Sequence, residues 1–216
     1  MIGSHNTFTY FKSTNFFTEM FSKFWRSQDL SIEDQYNNGV RFFDIRILKN
    51  KKPGLLKKLF SKKNNIQYWT IGHGKYEFKV NKMFKFNNIG SICEYIESNF
   101  PDAYYRIFFE HGTYADKQEF KNEIIGLEMK YFNLRSYGIV KPWINLHHNL
   151  PGKLVEYNCK LFNWYPEKSI WENIKHFKLS YTPKRWAKEC NKNITQDMID
   201  NKDYIYFFDY IKNSKD

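Results

Sequence analysis

The chain has 216 residues, a formal net charge of +11 and a hydrophobic content of 42%. That length allows one domain with a substantial core. No apolar run approaches the roughly 18 residues that span a membrane, and no signal-peptide pattern is found. The positive charge predicts an anionic partner: a nucleic acid, an anionic membrane or a phosphorylated substrate.

Three cysteines, Cys93, Cys159 and Cys190, are odd in number and show no Cys-x-x-Cys spacing. They are typical of free thiols in a reducing compartment, and one disulfide with one remaining thiol is the alternative. Together with the missing signal-peptide pattern, they favour a cytoplasmic or peripheral membrane protein. A secreted protein whose signal has been removed would show the same features.

The chain opens with a turn of small and polar residues, Gly3–Thr7, which suits the end of a strand and exposes His5. Aromatic residues within 16–27 recur near helical spacing and predict a helix that packs in the core. An exposed aromatic flap is the alternative. Ser31 is a predicted helix N-cap, because acidic residues follow it in the first turn.

A buried strand is predicted from Gly39 to Ile47, after a polar turn at 37–39. Strand alternation places four of its side chains on one face, which are Val40, Phe42, Asp44 and Arg46. Burying Asp44 and Arg46 costs free energy unless the two charges are paired or used. An internal ion pair and a functional site therefore both remain open.

The next segment, 49–63, holds seven lysines, and no acidic residue occurs between Asp44 and Glu77. Its apolar residues fall on one helical face after a Pro53-Gly54 break. Such a segment suits an anionic membrane surface beside the mouth of a site, and a solvated loop is the alternative. The residues assigned to membrane binding are Lys51, Lys52, Leu55, Leu56, Lys57, Lys58, Leu59 and Phe60.

The rest of the chain alternates between strand and helix patterns. Strands are predicted at 66–71, 104–109, 153–157, 176–181 and 204–208, and helices at 89–100, 116–131 and 194–201, with 139–146 ambiguous. Several strands end in polar residues, which are His5, Asp44 with Arg46, His73, Glu110 and Asp209. This pattern predicts an α/β fold, a single compact TIM-type barrel over 1–216, with its site at the carboxyl ends of the strands.

Four short motifs contain most of these polar residues. They are Gly3-Ser-His-Asn-Thr7, Gln35-x-x-x-Gly39-Val-Arg-Phe-Phe-Asp-Ile-Arg46, Ile71-Gly-His-Gly74 and Phe207-Phe-Asp-Tyr210. In this order and spacing they resemble the catalytic X domain of phosphatidylinositol-specific phospholipases C. The first three cover residues 1–74, and the stretch 112–200 matches loosely. The family fold is a distorted TIM-type barrel, which agrees with the strand pattern.

The resemblance implies cleavage of the phosphodiester between a lipid and inositol. The inositol 2-hydroxyl attacks phosphorus, diacylglycerol leaves, and a cyclic inositol phosphate forms, which water can open. By this resemblance His5 is the general base and His73 the general acid. Asp209 would hold His5 in the tautomer that the reaction needs.

Position 46 separates two subclasses of the family. Eukaryotic members place a calcium-binding carboxylate there, whereas bacterial members place an arginine and work without metal. Arg46 therefore implies a metal-independent enzyme with no cofactor, in which the guanidinium contacts the phosphate and Asp44 belongs to the catalytic set. Asn6 and Glu110 are assigned to substrate binding, and with Asp44 they are potential oxygen ligands that leave calcium open. Asn6 stands where bacterial members have an Asp that assists the acid histidine.

The leading interpretation is a monomeric phosphodiesterase that acts on an inositol phospholipid at an anionic membrane. One alternative is an enzyme of the same fold with another phosphodiester substrate. A second is a lipid- or protein-binding module that retains the barrel. Nucleic-acid binding is disfavoured, because the lysines cluster with leucines rather than with stacking aromatic residues.

Overall fold

The computed structural model describes residues 1–12, 16–20, 22, 26–49, 69–73, 76–77, 88–139, 144–147, 150–156, 169–174 and 183–211. Nine strands in these ranges form one sheet. They are β1 (Ile2–Ser4), β2 (Val40–Lys49), β3 (Trp69–His73), β4 (Tyr76–Glu77), β5 (Tyr104–His111), β6 (Leu134–Ile139), β7 (Ile144–His147), β8 (Lys153–Glu156) and β9 (Tyr204–Phe208).

The strand order is β7-β6-β5-β2-β1-β9-β8, with β3 paired to β2 and β4 paired to β3. Neighbours along this path are parallel except β6 and β7, and β3 is antiparallel to both of its neighbours. The predicted α/β class with a largely parallel sheet is confirmed. The described strands curl into a half-barrel, however, and not into the complete barrel that was predicted.

Seven α-helices with described bounds and a further α-helical stretch at 170–174 lie in the described ranges. The seven are α1 (Phe16–Met20), α2 (Ile32–Asn37), α3 (Ile89–Asn99), α4 (Tyr114–Ile124), α5 (Leu127–Lys130), α6 (Pro183–Cys190) and α7 (Gln196–Asp200), and 3₁₀ turns lie at 7–10 and 191–193. The Ser31 cap is confirmed, because its side chain accepts from the Asp34 amide. The helices predicted at 89–100 and 194–201 are also confirmed.

Several predictions differ from the structure or lie outside it, and one strand was not predicted. Phe16 and Met20 of α1 are 77% and 55% exposed, so they do not belong to the core. The helix predicted over 116–131 is divided between α4 and α5, where Gly126 intervenes. Strand β6 was not predicted, because its alternation is irregular. The strand predicted at 176–181 lies outside the described residues, and so does Cys159, whereas Cys93 and Cys190 are free thiols.

Most of the core lies between one face of the sheet and the helices that cover it. Phe43, Ile45 and Ile47 of β2 pack there with Ile92 of α3 and Phe120 of α4, all fully or nearly fully buried. Removal of these large apolar side chains from water is the main favourable term in folding. The strands are therefore held from their outer side, and their inner side is left for polar residues.

The inner face has a small apolar floor made of Phe42, Ile205 and Phe207. The rings of Phe42 and Phe207 meet edge to face at 5.5 Å. Strand alternation predicted that Val40 would share this face. That prediction is wrong, because Val40 belongs to the outer core. The reason is a register shift between β1 and β2, since Ile2 pairs with Val40 but Gly3 pairs with Phe42.

We expect Gly3→Ala to destabilise the fold. A Cβ at this position would lie 2.9 Å from Cδ1 of the buried Phe207 ring, which is closer than carbon atoms pack. Overpacking of this kind costs about 1–3 kcal/mol. Urea unfolding should show the loss in the free energy of unfolding.

The matched control is Gly126→Ala, because Gly126 has a helical backbone and nothing lies within 4 Å of an added Cβ. This variant should be neutral or slightly stabilised. Equal stability of the two variants would contradict the close approach of Gly3 to Phe207.

Candidate functional site

Two strands approach the middle of β2 from opposite directions along the same edge. β1 pairs with residues 40–43 and β3 with residues 47–49, while β5 occupies the other edge. His5 follows the parallel strand β1, and His73 ends the antiparallel strand β3. The histidines therefore converge beside Asp44 because β3 runs backwards. The sequence predicted instead that both strands end at one edge of a parallel sheet.

His5 is held by Asp209. Strands β1 and β9 are parallel and pair Ser4 with Phe208, so the residues that follow them lie side by side. Nδ1 of His5 is 2.8 Å from Oδ1 of the buried Asp209. Burial raises the pKa of the Asp209 carboxyl, and the charge of His5 acts against that effect. A carboxylate that accepts from Nδ1–H leaves Nε2 as the nitrogen that can take up a proton.

Asp44 lies at the centre of the site, fully buried, between two guanidinium groups. Arg46 Nε is 3.0 Å from both carboxylate oxygens, and Arg106 Nε is 2.7 Å from Oδ1. Burial alone would raise the pKa of Asp44, but Arg106 and Arg46 outweigh burial and hold that pKa well below its ordinary value. The carboxylate is therefore ionised at neutral pH.

Arg46 connects Asp44 to the second histidine. Its Nη1 donates to Oε2 of Glu110 at 3.0 Å, and the other oxygen of Glu110 lies 3.8 Å from Nε2 of His73. Burial would lower the pKa of Arg46, but Asp44 and Glu110 raise it, so the guanidinium keeps its charge. The histidine side chains are 14% and 26% exposed, whereas those of Asp44, Arg46 and Glu110 stay at or below 7%. The histidines are thus the groups of this cluster most open to a ligand.

Asn6 stands between the two histidines. Its Nδ2 is 3.2 Å from Nε2 of His5 and 3.4 Å from Nε2 of His73, so one amide group reaches both rings. The Asn6 backbone is left-handed, with φ of 48°, a conformation that asparagine tolerates better than most residues. In this conformation its backbone N–H donates to Asp44 Oδ2 at 3.1 Å. The structure thus brings together all seven residues assigned to catalysis and substrate binding.

A segment of three residues, 26–28, crosses above the ends of β1 and β9, and we call it the crossing segment. Nε2 of Gln28 donates to the carbonyl oxygens of His5 and Phe208, at 3.0 and 2.7 Å. The Ser27 carbonyl accepts from the Tyr210 amide at 2.7 Å. These bonds fix the backbone on both sides of the His5–Asp209 pair.

Sequence reasoning missed Arg106 and the crossing segment. Arg106 had a signal, because alternation in β5 places Arg106, Phe108 and Glu110 on one face. Its guanidinium lies 4.2 Å above the Phe207 ring, so it joins the apolar floor to Asp44. No sequence pattern pointed to the crossing segment, because its hydrogen bonds join it to backbone groups that are far away in the sequence.

The residues assigned to membrane binding lie outside the described residues, between Lys49 and Trp69. In the ranges that are described, no group of three or more histidine, cysteine or acidic side chains is arranged to hold a metal ion. None of the described helices is long and apolar enough to cross a membrane.

The structure is similar to that of the phosphatidylinositol-specific phospholipase C from Listeria monocytogenes, with a TM-score of 0.54 and 14% sequence identity. The match covers 99% of this chain and 88% of that chain. No protein-family model and no curated protein matches the sequence. At this identity the likeness shows that the chain has a fold of the phospholipase C type.

The buried Asp44 predicts a specific loss of stability in acid. The pKa of Asp44 is lower in the folded state than in the unfolded state, where it is about 3.9. The ionised carboxylate therefore stabilises the fold above this pH, and that contribution to the free energy of unfolding is lost as pH falls below it. Asp44→Asn should cost about 3–5 kcal/mol at pH 7, because two buried guanidiniums lose the carboxylate they share and Arg46 keeps only Glu110.

Urea unfolding at pH 7, 5, 4 and 3 would measure this effect. The stability difference between wild type and Asp44→Asn should narrow as pH falls. Asp203→Asn, a change to an exposed carboxylate, is the control and should follow the wild type. A difference between Asp44→Asn and wild type that stays constant from pH 7 to pH 3 would contradict the ionised state inferred for Asp44.

Proposed function

We propose that this chain is a monomeric phosphodiesterase that cleaves the glycerol–phosphate bond of phosphatidylinositol or a related inositol phospholipid. The products are diacylglycerol and a cyclic inositol phosphate. The observation that carries the proposal is the arrangement of two partly exposed histidines, each beside its own carboxylate, around the buried guanidinium of Arg46. The likeness in fold to a phospholipase C supports the same reaction class.

His5 acts as the general base. Asp209 accepts from its Nδ1, so Nε2 takes the proton of the inositol 2-hydroxyl as that oxygen attacks phosphorus. The imidazolium that forms is stabilised by Asp209 and by Asp44, whose Oδ2 lies 3.9 Å from Nε2. Both carboxylates are buried, so their charges act through little water.

Arg46 binds the non-bridging oxygens of the phosphate. Its Nε and Nη1 are occupied by Asp44 and Glu110, and in the part of the chain that is described no partner is found for Nη2. That nitrogen donates to the phosphate and stabilises the charge that develops in the transition state. A permanently charged guanidinium can do so without a metal ion.

His73 acts as the general acid and protonates the leaving glycerol oxygen. An imidazolium at His73 lies 3.8 Å from Glu110, which is an attractive arrangement. Asp44, Asp209 and Glu110 carry three negative charges, and Arg46 and Arg106 carry two positive ones. One additional proton on the two histidines makes the cluster neutral and leaves one histidine protonated as the acid and the other unprotonated as the base.

The decisive experiment is incubation with phosphatidylinositol vesicles in excess EGTA, with detection of cyclic inositol phosphate by phosphorus NMR. The wild type should release it without added calcium. His5→Ala and His73→Ala should each lower turnover by at least about 100-fold, the usual scale for acid–base groups. Near-wild-type turnover by either variant would contradict the catalytic role assigned to that histidine.

The assay also separates the alternatives. Parallel reactions with phosphatidylcholine vesicles and with a soluble aryl phosphodiester test for another substrate. Activity on those compounds but not on phosphatidylinositol would support a phosphodiesterase but would exclude an inositol phospholipid as its substrate. Activity that disappears in EGTA and returns with calcium would overturn the metal-independent mechanism.

We further propose that the lysine-rich segment docks the enzyme on anionic membranes. Its first residue, Lys49, is described and pairs with Trp69 at the end of the β2–β3 pairing, three residues beyond Arg46. Lys49 itself is paired with Glu119 and lies 4.2 Å above the Trp69 ring, so it anchors the hairpin. Each lysine that follows Lys49 in this segment contributes roughly 1 kcal/mol near an anionic bilayer.

Changing Lys51, Lys52, Lys57 and Lys58 to Gln should abolish vesicle binding at low salt and reduce lipid cleavage, because four charges are lost. Sedimentation with phosphatidylserine vesicles measures binding. The control changes Lys153, Lys192 and Lys202, which lie outside this segment, to Gln and should bind normally. Equal sedimentation of both variants with the wild type would exclude the docking role.

A further inference from the structure

Arg106 is the second guanidinium group that contacts Asp44. It lies opposite Asp44 in the pairing of β5 with β2, and its Nε donates to Asp44 Oδ1 at 2.7 Å. Its Nη2 is fully buried and has no hydrogen-bond partner among the described residues. A buried donor without a partner costs free energy, so packing alone does not explain an arginine at this position. The charge of Arg106 therefore acts through Asp44 and not by contact with a ligand.

The other arginine beside Asp44 has different surroundings. Arg46 donates Nε to Asp44 and Nη1 to Glu110, and no described residue binds its Nη2. The centre of the Phe108 ring lies 5.4 Å from Cζ of Arg46 and 5.0 Å from Cζ of Arg106, so one ring packs against both cations. Of the two arginines, Arg46 is thus the one with a nitrogen left for a ligand.

The charges around Arg46 balance only when Arg106 is included. Two buried carboxylates, those of Asp44 and Glu110, each lie 3.0 Å from a nitrogen of Arg46. These three groups by themselves carry a net negative charge, which would repel a phosphodiester anion. Arg106 adds the second positive charge and makes the group of four neutral.

Arg106 also limits how Asp44 pairs with Arg46. A carboxylate and a guanidinium often form two parallel hydrogen bonds, which use two nitrogens of the arginine. Here Nε of Arg46 alone lies 3.0 Å from both oxygens of Asp44, and Arg106 binds Oδ1 at the shorter distance of 2.7 Å. The bond from Arg106 thus opposes a shift of the carboxylate onto Nη2 of Arg46.

We propose that Arg106 is a positioning residue that neutralises Asp44, so that Arg46 keeps both its attraction for a phosphodiester anion and a free Nη2 to donate to it. The proposal deepens the function proposed above and rests on it. Arg106 acts through Asp44, which it contacts directly, and does not itself contact the ligand.

The test measures binding of dimethyl phosphate, a diester with a single negative charge, by NMR titration at pH 7. Arg106→Gln should bind it about 10-fold more weakly than the wild type, because a unit charge is lost beside a largely buried site. Arg106→Lys keeps the charge and should recover most of the affinity. Arg46→Gln should abolish binding, which shows that the titration reports on this site.

The matched control is Arg41→Gln, which lowers the overall charge of the protein by the same amount. Arg41 is also on β2 and pairs with Asp102 at 2.9 Å, but its side chain is 34% exposed. This variant should bind dimethyl phosphate as the wild type does. Equal weakening by Arg41→Gln and Arg106→Gln would overturn the proposal, as would wild-type affinity in Arg106→Gln or no binding by the wild type.

A double variant separates a charge effect from a loss of packing. Asp44→Asn combined with Arg106→Gln removes one charge of each sign, so the group around Arg46 is neutral again and does not depend on a folded Arg106→Gln protein. The double variant should bind dimethyl phosphate within about 3-fold of the wild type, because the net charge is the same. Binding as weak as in Arg106→Gln would overturn the proposal. A wild type that cleaves no phosphatidylinositol but shows this pattern of binding would overturn only the phosphodiesterase.

Discussion

The site depends on the burial of Asp44 between two arginines. A carboxylate without contact to water is stable only if its partners compensate for lost hydration, and here both Arg46 and Arg106 do so. Each guanidinium is in turn fixed by something else, Arg46 by Glu110 and Arg106 by the Phe207 ring. The charge offered to a ligand at Arg46 is thus held in place by packing below it and by carboxylates beside it.

The direction of β3 has an equally large effect on the site. Since β1 and β3 share one edge of β2, the space between their ends opens beside Asp44, and both histidines lie at that opening. If β3 ran parallel, it would need a different neighbouring strand in the sheet. His73 would then lie at another position and not beside Asp44. The hairpin also continues β2 past Arg46, which keeps the strand paired on both edges at Ile47 and Leu48.

Much of this arrangement could be predicted from local sequence. Period-two alternation placed Asp44 and Arg46 on one face, and polar residues after predicted strands identified His5, Glu110 and Asp209. The direction of β3 could not be predicted, because the segment 50–68 is long enough for a crossover or for a hairpin. The crossing segment could not be predicted either, since Gln28 bonds backbone oxygens of His5 and Phe208, which meet only once β1 and β9 are paired.

Asn6 shows how a neutral residue can serve a charged site. An aspartate there would add a fourth carboxylate to a cluster that already has three, next to Asp44, whose Oδ2 accepts from the Asn6 backbone. The neutral amide avoids that repulsion and still reaches both histidines. Negative charge near His73 then comes from Glu110, which Arg46 fixes at 3.0 Å. The guanidinium that positions Glu110 is also the group proposed to bind phosphate, so a ligand that draws Arg46 forward would also shift the carboxylate beside His73. If the proposed function holds, ligand binding at Arg46 and the state of the second histidine are therefore coupled through one side chain.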